Sequence, residues 1–344
     1  MEKCNIKVSG MKTGHVQGIA IDKKREYMYF SFTTCLIKTD MSGKVVGSVR
    51  GLAGHLGCIG YNYDDGRVYG SLEFKHDNIG KGILKRLGDG RDVEDGFYIA
   101  IFDVDKITRL DMDAETDSVM TAVHLDEVLC DYKAEGHRYG CSGIDGMTFA
   151  PMAGENTSKK YLYVAYGIYS DTERKDNDHQ VILRYDVQNW AQFEKPLVQS
   201  DMHRSGPQKY DGKYFVYTGN TTYGIQNLEY DESTGCMFAA VYCGNKKDFP
   251  NYPMFAIDMK KSPEKDKLCG LCEQGERLFL ADFGEKDEKS GIRGIDFPLG
   301  STGMASLSDR RFLFSREFSD ENGWGSEILL FEFDKNEGFT EVLV

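Results

Sequence analysis

Proline and long apolar runs are scarce in this chain. Its 344 residues include 7 prolines and 2 tryptophans, and no window approaches the roughly 18 consecutive apolar residues of a membrane-spanning helix. The opening residues, MEKCNIKVSG, lack the apolar segment of a secretory signal. The nine cysteines are odd in number and show no framework spacing, which indicates reduced thiols. We therefore expect a cytoplasmic protein without a membrane partner.

The familiar catalytic signatures are also absent. The sequence contains no P-loop, no G-x-G-x-x-G, no H-E-x-x-H and no G-x-S-x-G motif. One C-x-x-C stands at Cys269 and Cys272, but no second pair of Cys or His follows it, as a zinc site would require. Any chemistry must therefore come from residues that the fold brings together.

The net charge of −13 makes nucleic acid and anionic membranes poor partners. The same acidity keeps a protein soluble, and it also suits a cation or a cationic ligand. The chain is rich in Gly, Phe and Tyr, with 38, 20 and 20 residues. Such a mixture favours many short strands joined by tight turns.

A short hairpin pattern recurs five times. In each copy a polar turn follows one apolar run and precedes a second that ends in Ser or Ala. The second runs begin at Met28, Val68, Leu162, Met237 and Phe312. After each hairpin comes another apolar run that ends at an acidic residue, as at Asp40, Asp103, Asp186, Asp258 and Asp334. A fourth run usually follows.

Four-stranded units repeated in this way predict an all-β, five-bladed β-propeller formed by the single domain 1–344. We place the blades at residues 15–50, 55–125, 142–218, 223–299 and 300–344, with residues 1–10 closing the ring beside the C-terminal strand. Residues 278–297 resemble a strand pair without a partner, so six blades are the alternative. One helix is expected, at residues 126–135 (DEVLCDYKAE).

Propeller geometry predicts where a site would lie. The long insertions, at residues 75–95, 125–141, 171–179 and 244–252, all fall on one face of the ring, and loops over a rigid scaffold commonly carry function. Polar residues at the strand ends of this face converge on the mouth of the central channel. We expect His15, His55 and Asp145 to be catalytic. The substrate-binding candidates are Gln17, Glu73, His76, Tyr169, Asp171, Gln226, Asn245 and Glu317.

These residue types suit two kinds of chemistry. Carboxylate and amide oxygens could hold a divalent cation such as calcium, which would polarise a substrate or activate water. Without a metal, a His and a carboxyl group could act as general base and acid. The polar residues could equally serve only packing and hydrogen bonding in the channel, and the cofactor stays open.

The strand repeat resembles that of bacterial β-propellers, a superfamily of calcium-dependent lactonases, non-catalytic repeat proteins and five-bladed glycoside hydrolases. The resemblance to lactonases implies Asp145, Asn227 and Glu73 as metal ligands. His15 and His55 depart from a pure calcium site. Two functions follow as hypotheses: a metal-assisted hydrolase or lyase acting on a small polar ligand, or a non-catalytic scaffold that binds a ligand or a protein. The sequence does not fix the oligomeric state.

Overall fold

The computed structural model describes residues 6–11, 14–88, 90 and 93–342. The first half of the chain contains β1 (Ile6–Met11), β2 (Val16–Ile21), β3 (Tyr27–Phe32), β4 (Cys35–Asp40), β5 (Val45–Arg50), β6 (His55–Asn62), β7 (Arg67–Phe74), α1 (Asn78–Leu87), β8 (Gly96–Phe102), β9 (Met112–Asp113), β10 (Met120–His124), α2 (Asp126–Lys133), β11 (Cys141–Ala150) and β12 (Tyr161–Ile168).

The second half contains β13 (His179–Tyr185), β14 (Gly212–Tyr217), β15 (Thr221–Asp231), β16 (Cys236–Cys243), β17 (Met254–Asp258), β18 (Glu264–Lys267), β19 (Gln274–Arg277), β20 (Glu285–Lys286), β21 (Arg293–Gly294), β22 (Met304–Ser306), β23 (Arg311–Asp320), β24 (Gly323–Asp334) and β25 (Gly338–Glu341). Two short 3-10 helices lie at Arg138–Gly140 and Val187–Gln192.

These strands form five antiparallel sheets in a ring, a five-bladed β-propeller, as the sequence predicts. The sheets begin with β2, β6, β11, β15 and β22, and each continues outward through the next strands of the chain. The innermost strands touch their neighbours all the way round, since β2 contacts both β6 and β22. The described residues thus form a closed ring.

The hydrophobic core lies between adjacent sheets, because one twisted sheet cannot bury both of its faces alone. The second strands carry large buried aromatic residues. Tyr29 stacks on Tyr61 of the next sheet, and Tyr69 meets the edge of Phe149 of the one after. Aromatic packing between neighbours therefore fixes the angular spacing of the ring.

Residues 278–297 do not form a sixth blade. Ile257 bridges to Leu280 and Met254 bridges to Ile295, so this segment runs along the outer edge of the fourth sheet. Its own pairing is limited to the two-residue strands β20 and β21. The six-bladed alternative is wrong because these short runs lack an innermost strand.

The fifth sheet draws on both ends of the chain. The first half of β24 pairs with β1, with Val8 opposite Ser326. The second half of β24 pairs with β25. Residues 1–5 and 343–344 of the predicted closing segments lie outside the described residues. The outer edge of this sheet is thus shared between the N-terminal and C-terminal strands.

Two helices interrupt the sheets. The expected helix, α2, begins at Asp126 and ends at Lys133 rather than at residue 135. Helix α1, which lies between β7 and β8, is not among the elements predicted from the sequence. Among the described residues, no helix is long and apolar enough to cross a membrane.

Candidate functional site

A pocket of about 280 Å³ opens at the channel mouth on the face that carries α1. We call it the mouth pocket. Its volume is close to the lower end of the range for ligand sites, roughly 300–1,000 Å³. It is lined by His15, Gln17, Thr33, His55, Glu73, Lys75, Asn78, Ile79, Gly82, Ile83, Arg86, Ser142, Ile144, Asp145, Gly167, Tyr223, Gln226 and Tyr242. Four of the five sheets contribute to this wall.

Helix α1 forms one side of the mouth pocket. The Asp77 carboxylate accepts hydrogen bonds from the backbone N–H groups of Ile79 and Gly80, both at 2.9 Å, and so caps the helix N-terminus. Gly88 ends the helix in the left-handed conformation, with φ of 67°. Ile83 is buried and holds the helix against the ring.

An ion pair stands at the base of α1. The ammonium group of Lys75 lies 2.5 Å from Glu73 Oε1, and it donates to the backbone oxygen of Ser142 at 2.9 Å. Glu73 Oε2 accepts the backbone N–H of Ile144 at 3.0 Å. Burial raises the pKa of Glu73, and Lys75 partly offsets this. Burial alone would lower the pKa of Lys75, but Glu73 and Asp77 raise it overall, so the ammonium keeps its charge.

Asp145 is the second buried carboxyl group of the mouth pocket, with 8% of its surface exposed. Burial first, and then the charge of Glu73, raise its pKa well above the usual value, while Lys75 acts in the opposite direction. Its Oδ1 atom has no hydrogen-bond partner among the described residues. Asp145 therefore keeps its proton at pH values where an exposed aspartate has lost it.

The two predicted histidines occupy different environments. Burial first, and then Lys75, lower the pKa of His55 to about 3, so its ring is neutral near pH 7. Its Nδ1 lies 3.8 Å from Glu73 Oε1, beyond hydrogen-bond distance. His15 is half-buried at the rim, with Nδ1 3.2 Å from Glu317 Oε2.

A hydrogen-bond network orients His15. Its Nδ1 lies 2.8 Å from the backbone oxygen of Val16, which can only accept, so Nδ1 carries the proton. Nε2 then presents its lone pair to the side-chain amide nitrogen of Gln17 at 3.3 Å. The same amide donates to Thr33 Oγ1 at 3.4 Å. This assignment of the tautomer leaves Nε2 as the basic atom.

The predicted residues divide into two groups. The structure brings together His15, His55 and Asp145, the expected catalytic residues, with the expected binding residues Gln17, Glu73 and Gln226. Five other binding candidates do not line the mouth pocket: His76, Tyr169, Asp171, Asn245 and Glu317.

The five outlying candidates have other positions. His76 is exposed and pairs with Asp95, because it follows Lys75 and points to the opposite side of the extended chain. The Tyr169 hydroxyl lies 3.4 Å from the carboxylate that caps α1. Asp171 and Asn245 are exposed on loops, and Glu317 reaches the pocket only through His15.

The residues implied as calcium ligands are a poor match for a cation. Glu73 already holds the ammonium of Lys75. The amide nitrogen of Asn227 donates to the backbone oxygens of Gln17 and Ser301, at 2.8 and 3.0 Å, and its Oδ1 has no partner among the described residues, but Asn227 does not line the pocket. Within the described ranges, no three His, Cys, Asp or Glu side chains converge as metal ligands would. We therefore derive no chemical step through a metal.

Lys75 and the whole of α1, including Arg86, are absent from the residues predicted from the sequence. The signal was present, since Asp77, the apolar residues Ile79, Ile83 and Leu87, and Gly88 have the spacing of a capped amphipathic helix. Tyr242 was also missed, although it ends the second strand of the fourth sheet, where site residues were expected.

No protein-family model matches the chain, and no curated protein matches it at a significant level. Three solved structures are similar over most of its length. The Dos1 propeller has 10% identity and a TM-score of 0.35, and the match covers 95% of this chain and 57% of that one. Hydrazine synthase from Kuenenia stuttgartiensis has 10% identity and a TM-score of 0.36, covering 96% and 67%.

The third similar structure is a protein of unknown function from Desulfotomaculum acetoxidans DSM 771. It has 10% identity and a TM-score of 0.40, covering 99% of this chain and 77% of that one. The chain thus spans little more than half of the Dos1 propeller chain. Similarities this weak indicate no function.

Proposed function

We propose that the mouth pocket binds a small polar molecule and acts on it by proton transfer, as a hydrolase or a lyase. One observation carries the proposal: the buried carboxyl group of Asp145 lines the pocket and leaves Oδ1 without a hydrogen-bond partner among the described residues. Buried polar atoms are nearly always paired, and an unpaired buried carboxyl oxygen beside a pocket is a mark of a catalytic group.

Asp145 is suited to the role of general acid. Burial raises its pKa well above the usual value, so the carboxyl group keeps its proton where an ordinary aspartate is ionised. A protonated carboxyl can give that proton to a departing oxygen. The C–O bond breaks as the O–H bond forms on the departing oxygen. The carbon gains the oxygen of a water molecule in hydrolysis or a double bond to its neighbour in elimination, and the carboxylate of Asp145 regains a proton from solvent.

His15 is suited to the role of general base. Its Nε2 carries the lone pair, since Nδ1 faces the backbone oxygen of Val16 and the carboxylate of Glu317. Glu317 stabilises the imidazolium that forms when Nε2 takes a proton from water or from a substrate carbon. His55 is a weaker candidate because its pKa is lowered to about 3, so it supplies a neutral hydrogen-bonding ring.

The remaining lining favours a hydroxyl-rich molecule. Amide and hydroxyl side chains both donate and accept hydrogen bonds, as a substrate hydroxyl does. The residues of this kind are Gln17, Thr33, Asn78, Ser142, Tyr223, Gln226 and Tyr242. Ile79, Ile83 and Ile144 supply an apolar surface for the carbon skeleton.

The test compares Asp145→Asn with Asp171→Asn. Both remove one carboxyl group, but Asp171 is exposed outside the pocket, where Oδ1 accepts the backbone N–H of Glu173. The probes are aldonolactones and aryl glycosides for hydrolysis, and β-hydroxy acids for elimination. We expect turnover by the native protein, a loss of about 10²–10⁴-fold in Asp145→Asn, and no change in Asp171→Asn.

A second measurement examines Asp145 without a substrate. Carbon-13 NMR of labelled aspartate carboxyl groups should show Asp145 protonated at pH 7, with the resonance assigned by its loss in Asp145→Asn. An ionised Asp145 at pH 7 would show that the acid role is wrong. Binding of the probes without any turnover would instead indicate a non-catalytic propeller.

A further inference from the structure

Helix α1 concentrates positive charge at the mouth pocket. It carries Lys81, Lys85 and Arg86 and no acidic residue, in a chain whose net charge is −13. In the parts of the chain that the structure describes, none of the three cations has an ion-pair partner. A local field of this sign attracts anions even when the whole protein repels them.

Arg86 is the member of this group that reaches the pocket. Its guanidinium lines the wall together with His15 and Thr33. It also crosses from α1 to the first sheet, since Nη1 would lie 2.9 Å from a Cβ on Gly14. Arg86 therefore stands at the rim, between the second sheet and the first.

The other charges that line the pocket are cancelled. Glu73 and Lys75 neutralise each other at 2.5 Å. Burial raises the pKa of Asp145 and lowers that of His55 to about 3, so it favours the uncharged form of both side chains. Glu317, outside the lining, is engaged by His15. The unbalanced charge of the wall is then the guanidinium of Arg86.

We propose that the ligand of the mouth pocket carries a carboxylate and that Arg86 binds it. The proposal rests on the proposed function and names its substrate class, a small hydroxylated carboxylic acid. Arginine presents parallel N–H donors that match the two oxygens of a carboxylate. A single cation balances one negative charge, and this favours a carboxylate over a doubly charged phosphate.

This arrangement would also orient the ligand. A carboxylate at Arg86 is fixed at the rim beside His15, while the hydroxyl-bearing part extends toward Asp145 inside the pocket. His15, the proposed base, then faces the end of the ligand that bears the carboxylate. The C–H bond next to a carboxylate is the one most easily deprotonated. Arg86 thus acts as a specificity residue.

The experiment uses two probes of the same shape, acetate and neutral acetamide. The full chain is labelled with ¹⁵N-arginine and ¹⁵N-histidine, and the side-chain signals of Arg86 and His15 are followed during titration. Arg86→Gln assigns the arginine signal and tests its role. Lys85→Gln is the matched control, because it removes a neighbouring charge that does not line the pocket.

We expect acetate to shift both signals and to saturate, with acetamide at least about tenfold weaker, since one charge-assisted contact of about 1.4 kcal/mol corresponds to that ratio. The preference should vanish in Arg86→Gln and persist in Lys85→Gln. Equal effects of acetate and acetamide, or an acetate preference that survives Arg86→Gln, would overturn the proposal.

The same samples separate this inference from the proposed function. Acetate binding should be unchanged in Asp145→Asn. If Asp145 is protonated but acetate is not preferred over acetamide, the proposal of a carboxylate ligand is wrong and the acid role stands. If Asp145 is ionised but acetate is clearly preferred, the acid role is wrong and the carboxylate ligand stands. Inorganic phosphate serves as a third probe, and saturation at a lower concentration than acetate would overturn the choice of carboxylate.

Discussion

The carboxyl group of Asp145 packs directly on the backbone of Gly57, with no room between them for a side chain. A Cβ on Gly57 would overlap Asp145 Oδ1 and would lie 2.6 Å from Ser71 Oγ. The relationship is reciprocal, because Glu73 lies in the same way against Gly143 on the neighbouring sheet. Each buried carboxyl group of the second and third sheets thus depends on a glycine of the other.

Gly57→Ala should displace Asp145 and destabilise the fold. Forcing a methyl group into a packed site costs about 1–3 kcal/mol, and turnover should fall with it. Gly60→Ala, on the same strand, is the control, since its Cβ would meet Met147 Cε at an ordinary 3.4 Å. Urea unfolding measures both variants. Equal stability of the two would contradict the close approach.

Asp145→Asn should change how stability depends on pH. The pKa of Asp145 is raised in the folded state, so from about pH 3.9 upward the unfolded chain loses a proton that the folded chain keeps. The native protein is therefore destabilised as pH rises toward the folded pKa, by up to about 1.4 kcal/mol per pH unit. Asp145→Asn has no ionisable group at this position, so its free energy of unfolding lacks this dependence on pH.

Urea unfolding of both proteins between pH 4 and pH 8 measures that effect. The free energy of unfolding of Asp145→Asn, relative to the native protein, should increase with pH. A constant difference across the range would mean that Asp145 has an ordinary pKa in the folded protein.

Lys75→Met should be strongly destabilising, because it leaves Glu73 buried without its counter-charge. Breaking a buried pair in this way costs about 3–5 kcal/mol. The double variant Glu73→Gln/Lys75→Met removes both charges and should recover most of the loss. A double-mutant cycle by urea unfolding, which also needs Glu73→Gln alone, gives the coupling free energy between Glu73 and Lys75. If the stability losses of the two single variants simply add in the double variant, the two side chains are not energetically coupled.

His55 should stay neutral in the folded protein across pH 5–8, since its pKa is lowered to about 3. The unfolded chain takes up a proton near pH 6.5, so His55 causes a loss of stability as pH falls from there toward the folded pKa. Nitrogen-15 NMR of the imidazole measures the protonation state, and His55→Gln assigns it. A midpoint near pH 6.5 in the folded protein would contradict the burial effect.

The closure of the ring by β1 can be tested at Val8. This side chain is 1% exposed and belongs to the apolar cluster between the fifth and first sheets. Val8→Ala should cost about 2 kcal/mol. Lys7→Ala, at the exposed neighbouring position, should change stability by less than about 0.5 kcal/mol. Similar losses in thermal unfolding would show that packing of β1 is unimportant.

The architecture follows from the sequence because the hairpin signal is local and is repeated. Strand periodicity with polar turns needs no knowledge of distant residues, and five copies support one another. The fourth sheet was harder to interpret, since its outer edge consists of isolated bridges at Leu280 and Ile295. Such short runs resemble a separate unit until the partner strand is known.

The site was only partly predictable. His15 directly precedes β2, His55 opens β6 and Asp145 lies in the first half of β11. Because these are the innermost strands of three sheets, the ring geometry brings the three residues to one mouth. Asp171 and Asn245 lie on exposed loops that follow strands. Loops have no periodic pattern, so the sequence does not indicate whether their side chains face the channel or the solvent. The prediction names His76 and not Lys75, although alternation along the extended chain places Lys75 on the side of Glu73.

The shared edge of the fifth sheet has a consequence for biosynthesis. β1 is made before every other described strand, whereas its partner β24 is followed by only one more of them, β25. The apolar side chain of Val8 therefore stays uncovered until β24 has been made. The four sheets made in between can assemble in sequence, but the pairing of β1 with β24 joins segments that are far apart in the sequence, and such distant pairings form slowly.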